Sequence, residues 1–110
     1  MPDYVCMIQN GQPPHQKQTE LERGLRRIAQ HSFGDDPDAV SFRWTVIDRG
    51  FAFTAGVPST SSIVIRSVPV GFSDDERESY LRSVCDLWVE VTGCTKDEIV
   101  ATAWDGPLPL

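Results

Sequence analysis

The stretch Gly34-Asp35-Asp36-Pro37-Asp38-Ala39-Val40 decides the fold, because the chain repeats its pattern 59 positions later. The second copy reads Gly93-Cys94-Thr95-Lys96-Asp97-Glu98-Ile99, so a glycine, an aspartate and a β-branched residue recur in register. An internal repeat of this kind is typical of one supersecondary unit used more than once. The same elements are therefore expected on either side of both glycines.

An apolar stripe with helical spacing precedes each glycine. The pattern predicts one helix from residue 13 to about 32 and a second from about 74 to 92. Ser73 and Glu76 have the spacing of a capping box for the second helix, and Gly34 and Gly93 would provide left-handed C-caps. The stripes consist of Leu21, Leu25 and Ile28 in the first helix and Tyr80, Val84 and Leu87 in the second.

Strand-like runs rich in β-branched and aromatic residues flank both helices. They span residues 4–8, 40–47, 63–68 and 99–104. A β-α-β crossover requires parallel strands with the helix on one face. We therefore predict an α/β fold in which two tandem β-α-β units form a four-stranded mixed sheet with two helices on one face. The pseudo-repeats would be residues 2–48 and 62–105, joined by a connector at 49–61 within a single domain, 1–110.

Composition excludes several classes of protein. With 40% hydrophobic and 24% charged residues the chain is neither disordered nor membrane-spanning. Its net charge of −6 argues against nucleic acid as a partner. The cysteines Cys6, Cys85 and Cys94 form no C-x-x-C pair, which argues against a metal site and favours a reducing compartment. Without a recognisable signal sequence, the expected location is cytoplasmic.

Two surfaces of the predicted domain are more apolar than water favours. The sheet face away from the helices includes Met7 and Ile47, so self-association is expected. In the connector, Phe51 and Phe53 stand between Gly50 and Gly56. They would either pack as a surface loop or line an apolar pocket.

Pro2 directly after Met1, the 59-residue duplication and the Phe/Gly/Pro connector together resemble the tautomerase superfamily. The resemblance covers nearly the whole chain, and is nearest to the cis-3-chloroacrylic acid dehalogenase group, with macrophage migration inhibitory factor as a more distant relative. It implies a homotrimer, an amino-terminal catalytic proline and no cofactor.

Pro2 is the general base that the resemblance implies. Once Met1 is removed, Pro2 carries a secondary amine, and burial at the head of a strand favours its neutral form because desolvation disfavours the ammonium ion. If Met1 stays attached, the nitrogen is an amide without a basic lone pair. The alternative is that Pro2 only stiffens the terminus.

The resemblance also implies catalytic roles for His31 and Asp105. His31, near the end of the first helix, is similar to a histidine that contacts substrate, or is simply a favourable partner for the helix dipole. Asp105 takes the place of a water-activating glutamate, and a solvated acid is the favoured interpretation.

Four residues are candidates for substrate binding, and each has an ordinary structural alternative. Tyr4 could polarise a carbonyl oxygen or be a plain strand residue. Phe72, like Pro69, stands in a turn where the dehalogenases carry two arginines. Arg43, Arg66 or Arg49 could replace that clamp, or form ordinary interface pairs.

These features predict a cofactor-independent tautomerase or isomerase acting on a small keto, enol or unsaturated carboxylic acid. A chain that lacks the arginine clamp is a poor hydrolytic dehalogenase. The alternatives are a non-catalytic oligomer with the same fold, and a hydratase or dehalogenase-like enzyme whose carboxylate site is rearranged.

Overall fold

In a computed structural model, residues 2–108 are described, and they form a four-stranded sheet with the strand order β2-β1-β5-β6. The sheet consists of β1 (Tyr4–Gln9), β2 (Phe42–Ile47), β5 (Ser62–Val68) and β6 (Ile99–Asp105). Strand β1 pairs with β2 in parallel, β5 pairs with β6 in parallel, and β1 pairs with β5 in antiparallel. The predicted mixed sheet of two β-α-β units is confirmed.

The helices end where the sequence pattern predicts, because glycine can adopt the left-handed conformation without steric cost. Helix α2 (Gln18–Phe33) is followed by Gly34 at φ 70°, and α3 (Asp74–Thr92) by Gly93 at φ 72°. The capping box of Ser73 and Glu76 is present at the start of α3.

Three details differ from the prediction. The first helix is interrupted at Lys17, whose φ of −109° separates a short α1 (Pro13–Gln16) from α2. Strand β2 begins at Phe42, two residues later than predicted, and residues 37–39 before it form a 3₁₀ turn. The connector contains a small hairpin of β3 (Phe53–Thr54) and β4 (Val57–Pro58).

The core lies between the sheet and α2 and α3, which both pack on one sheet face. Its central contacts join alternate strand residues, such as Tyr4, Cys6 and Val64, to helix residues such as Leu25 and Trp88. None of the helices within residues 2–108 is long and apolar enough to cross a membrane. The single-domain boundaries remain a prediction, since residues 1, 109 and 110 lie outside the described ones.

The opposite sheet face is apolar and partly exposed. Val100 and Trp104 are exposed there, and Met7 and Ile65 are half-buried. In the neighbouring connector, Phe51 and Phe53 are 81% and 61% exposed, so both lie open on the surface of residues 2–108.

Candidate active site

Pro2 lies half-buried at the head of β1. The next residue, Asp3, binds Ser41, which directly precedes the neighbouring strand β2. The backbone N–H of Asp3 donates to the Ser41 carbonyl oxygen at 3.1 Å and to Ser41 Oγ at 3.0 Å. The Asp3 carboxylate accepts from the Ser41 backbone N–H at 2.9 Å. These bonds fix the position of the residue that follows Pro2.

Pro2 opens on a cleft of about 230 Å³, which we call the Pro2 cleft. Because β5 runs antiparallel to β1, the end of β5 reaches the head of β1 and brings Arg66 and Ser67 there. The parallel strand β6 ends at the same edge, so the chain after it also contributes. The lining comprises Pro2, Asp3, Arg66, Ser67, Pro107 and Leu108.

Arg66 is the cation of this cleft, and it is only 6% exposed. Its Nη2 donates to Asp35 Oδ2 at 2.5 Å, and its Nε donates to the Ser67 carbonyl oxygen at 3.2 Å. Within residues 2–108 its Nη1 is buried and has no hydrogen-bond partner. An unsatisfied nitrogen on a buried guanidinium is costly unless an anion or water completes its bonding.

Two aromatic rings hold the Arg66 guanidinium in place. Its central carbon lies 4.2 Å from the ring centroid of Phe33 and 4.9 Å from that of Tyr4, which are cation–π distances. Burial alone would lower the pKa of Arg66, but the Tyr4 oxygen and the Asp35 carboxylate outweigh it and the pKa is raised. The side chain is therefore a fixed positive charge.

Tyr4 lies behind Arg66 and does not line the Pro2 cleft. Its hydroxyl accepts a hydrogen bond from the Tyr80 hydroxyl at 3.2 Å, and its ring stacks on Phe42. Burial raises the pKa of the Tyr4 phenol, so the group stays neutral at ordinary pH. In this position it supports Arg66 and is not a candidate for direct contact with a substrate.

His31 and Phe72 lie together at another site. Both line a shallow cleft of about 330 Å³ between α2 and α3, with Ser79 and the acids Asp75 and Glu76. His31 is exposed, and the Phe72 ring packs on Phe33 at 5.2 Å between centroids. Neither residue lines the Pro2 cleft.

Asp105 and Arg43 also lie outside the Pro2 cleft. The Asp105 side chain is 82% exposed and forms an ion pair with Arg77 Nη2 at 2.7 Å. Arg43 is exposed on β2, on the sheet face away from the helices. Of the residues predicted from sequence, only Arg66 lines the Pro2 cleft together with Pro2.

Three residues that shape this site were not among those predicted from sequence, and neither were the cleft residues Asp3, Ser67 and Pro107. Asp35 orients Arg66, Phe33 covers it, and Leu108 lines the cleft. The signal that could have identified Asp35 is a difference between the two copies of the repeat: Asp35 follows Gly34, whereas the matching position in the second copy is Cys94. No local signal marks Phe33 or Leu108.

Other cavities offer less chemistry. A groove of about 680 Å³ follows α3 and includes Arg77, Leu81 and Cys85, but none of the predicted site residues lines it. Within the described part of the chain no group of three or more His, Cys, Asp or Glu side chains could hold a metal ion.

Comparison with known proteins gives structural matches only: no family model and no curated protein sequence matches the chain. Native Ps01740 superposes with a TM-score of 0.84 at 25% identity, covering 94% of this chain and 93% of its own. N1, a member of the cis-3-chloroacrylic acid dehalogenase family, superposes with a TM-score of 0.84 at 13% identity, covering 96% and 76%. The Q0 fused 4-OT, solved as a symmetric trimer, gives 0.81 at 16% identity, covering 94% and 85%. The fold expected from the resemblance is confirmed.

Proposed function

We propose that this chain, which has the fold of the tautomerase superfamily, is a cofactor-independent tautomerase that moves a proton on a small keto or enol carboxylic acid. One observation carries the proposal: a half-buried proline at the strand head shares a small cleft with a buried arginine, one nitrogen of which has no partner among the described residues. The first residue can exchange protons, and the second can hold an anion.

Pro2 would act as the base. With Met1 removed, the half-buried position of Pro2 and the nearby Arg66 charge would both favour the neutral amine over the ammonium ion. For an enol substrate, the neutral amine accepts the proton of the C2 hydroxyl group. The resulting ammonium ion then delivers a proton to C3. The keto acid leaves and the neutral amine is restored, so the reaction needs no other reactant.

Arg66 would bind the substrate carboxylate. Asp35 and the Ser67 carbonyl occupy Nη2 and Nε, so Nη1, which is buried and has no partner among residues 2–108, would donate to one carboxylate oxygen once the cleft lining moves to expose it. Because the guanidinium is already fixed between two rings, little entropy is lost when the anion binds. A single anchored oxygen leaves the reacting carbon free to approach Pro2.

The direct test is the ketonisation of phenylenolpyruvate, followed by the decay of its enol absorbance. The proposal expects catalysis by the wild-type protein well above the buffer rate. The second candidate function is a non-catalytic oligomer, and the placement of His31 and Asp105 outside the Pro2 cleft favours it. Wild-type protein that leaves the buffer rate unchanged would contradict the tautomerase proposal for this substrate and favour the second candidate.

Turnover of 3-chloroacrylates is expected to be negligible, at least about a thousandfold below the tautomerase rate. Hydration of an acrylate builds negative charge on the substrate and requires an activated water. The Pro2 cleft offers one arginine, and Asp105 is exposed and paired with Arg77. Chloride release from both isomers measures this, and rapid release would support the dehalogenase-like alternative.

The protein is expected to be a homotrimer in solution. The open sheet face and the exposed Phe51 and Phe53 leave apolar area that a monomer would expose to water. The fused 4-OT is a trimer with the same fold. Sedimentation at micromolar concentration should give three times the 12.3 kDa chain mass.

A charged side chain on the sheet face away from the helices should prevent trimer formation. Ile65→Arg places a cation on the half-buried middle of that face and should yield monomers. Val70→Arg, in a fully exposed turn, is the matched control and should sediment as the wild type. A wild-type chain that sediments as a stable monomer would refute the trimer.

A further inference from the structure

The last described residues, 106–108, fold back onto the Pro2 cleft, and we call them the C-terminal strap. Gly106 has a φ of 79°, which turns the chain immediately after β6. The Ser67 hydroxyl donates to the Gly106 carbonyl oxygen and fastens this turn to β5. Leu108 is only 8% exposed, although it lies three residues beyond the last strand.

The strap provides most of the apolar lining of the cleft. Pro107 and Leu108 stand with Pro2 on the apolar side, whereas Asp3, Arg66 and Ser67 supply the polar groups. The cleft, at about 230 Å³, is smaller than the roughly 300 Å³ at which pockets for drug-sized ligands begin. Leu108 therefore occupies space that a larger ligand would need.

We infer that Leu108 determines substrate size and makes the site favour 2-oxo acids with a small apolar substituent at C3 over those with a large one. The inference rests on the proposed function. A substrate whose carboxylate binds Arg66 and whose C3 carbon lies next to Pro2 already contacts these two lining residues. Its C3 substituent is apolar, and the apolar lining left for it is Pro107 and Leu108.

Two substitutions of opposite size test the strap. Leu108→Ala removes three carbons from the cleft wall, and Leu108→Phe adds an aromatic ring. Val70→Ala is the matched control, because Val70 is a fully exposed aliphatic residue outside the cleft. The thermal midpoint of each variant, compared with wild type, reports any loss of folding.

The readout is the ratio of two dissociation constants, for phenylpyruvate and for 2-oxobutanoate, each from titration of amide NMR signals. The two acids differ only in a phenyl or a methyl group on C3. Relative to wild type, Leu108→Ala should shift the ratio by at least about tenfold in favour of phenylpyruvate. Leu108→Phe should shift it the other way, and Val70→Ala should leave it unchanged.

Binding separates this inference from the proposed function. Exchange of the C3 hydrogen for deuterium tests catalysis alone, so a protein that binds with the expected ratios but exchanges nothing would contradict only the tautomerase proposal. A ratio that is the same in all four proteins would overturn the strap's role. A parallel loss of both affinities in the two Leu108 variants would assign Leu108 to folding, and failure of both acids to bind any variant would overturn the inference as well.

Discussion

Pro2→Ala should lower kcat/KM for ketonisation of phenylenolpyruvate by at least about a hundredfold, which is about 2.7 kcal/mol of transition-state stabilisation. Alanine at this position has a primary amine with a different basicity and without the ring that fixes the nitrogen. Assembly should be unaffected, because the bonds between Asp3 and Ser41 that hold the strand head do not involve Pro2. Steady-state kinetics and sedimentation measure the two effects separately.

The matched control is Pro69→Ala. Pro69 is exposed in the turn between β5 and α3 and does not line the Pro2 cleft. It should change kcat/KM by less than about threefold, as is usual for a surface substitution. A loss of only a few-fold in Pro2→Ala would show that proline is not the base.

Arg66→Met should lower kcat/KM for the same substrate by about a hundredfold to a thousandfold. Methionine keeps part of the side-chain volume between Phe33 and Tyr4 but cannot donate to a carboxylate. Arg66 is the one cation among the described residues that line the Pro2 cleft, and its Nη1 has no hydrogen-bond partner among them. Arg82→Met is the matched control, because Arg82 forms an exposed ion pair with Glu78 on α3. It should have little effect on kcat/KM.

A second readout separates carboxylate binding from a structural role of Arg66. Wild-type protein should bind phenylpyruvate more tightly than its uncharged methyl ester, and Arg66→Met should remove most of that difference. If the variant binds both ligands more weakly by the same factor, Arg66 holds the cleft in shape and does not recognise the carboxylate.

Much of the fold could be predicted because its determinants are local or repeated. Gly34 and Gly93 end the helices by their own backbone freedom, and the Ser73 capping box starts α3 within four residues. The interruption at Lys17 was missed because lysine is not a helix-breaking residue, and the hairpin β3–β4 was missed because strands of two residues are too short to show an alternating pattern.

The site was less predictable, because it depends on which side chains remain unpaired after folding. In the sequence, Arg43, Arg49 and Arg66 are equivalent candidates, and only packing distinguishes the buried Arg66 from the exposed Arg43. His31 has the expected place along α2, but it lines a different cleft from Pro2. The contribution of Leu108 depends on a turn after the last strand, which no periodic pattern marks.

The central claim is that Pro2 carries a free amine that is neutral at the working pH. Incorporation of ¹⁵N-proline and titration by NMR tests it, because an amine nitrogen shifts with pH, whereas the amide nitrogens of the other prolines do not. We predict that one proline nitrogen titrates, with a pKa below that of an ordinary exposed α-amino group, and that Arg66→Met raises this pKa by removing a nearby positive charge. A spectrum in which no proline nitrogen titrates would contradict the account.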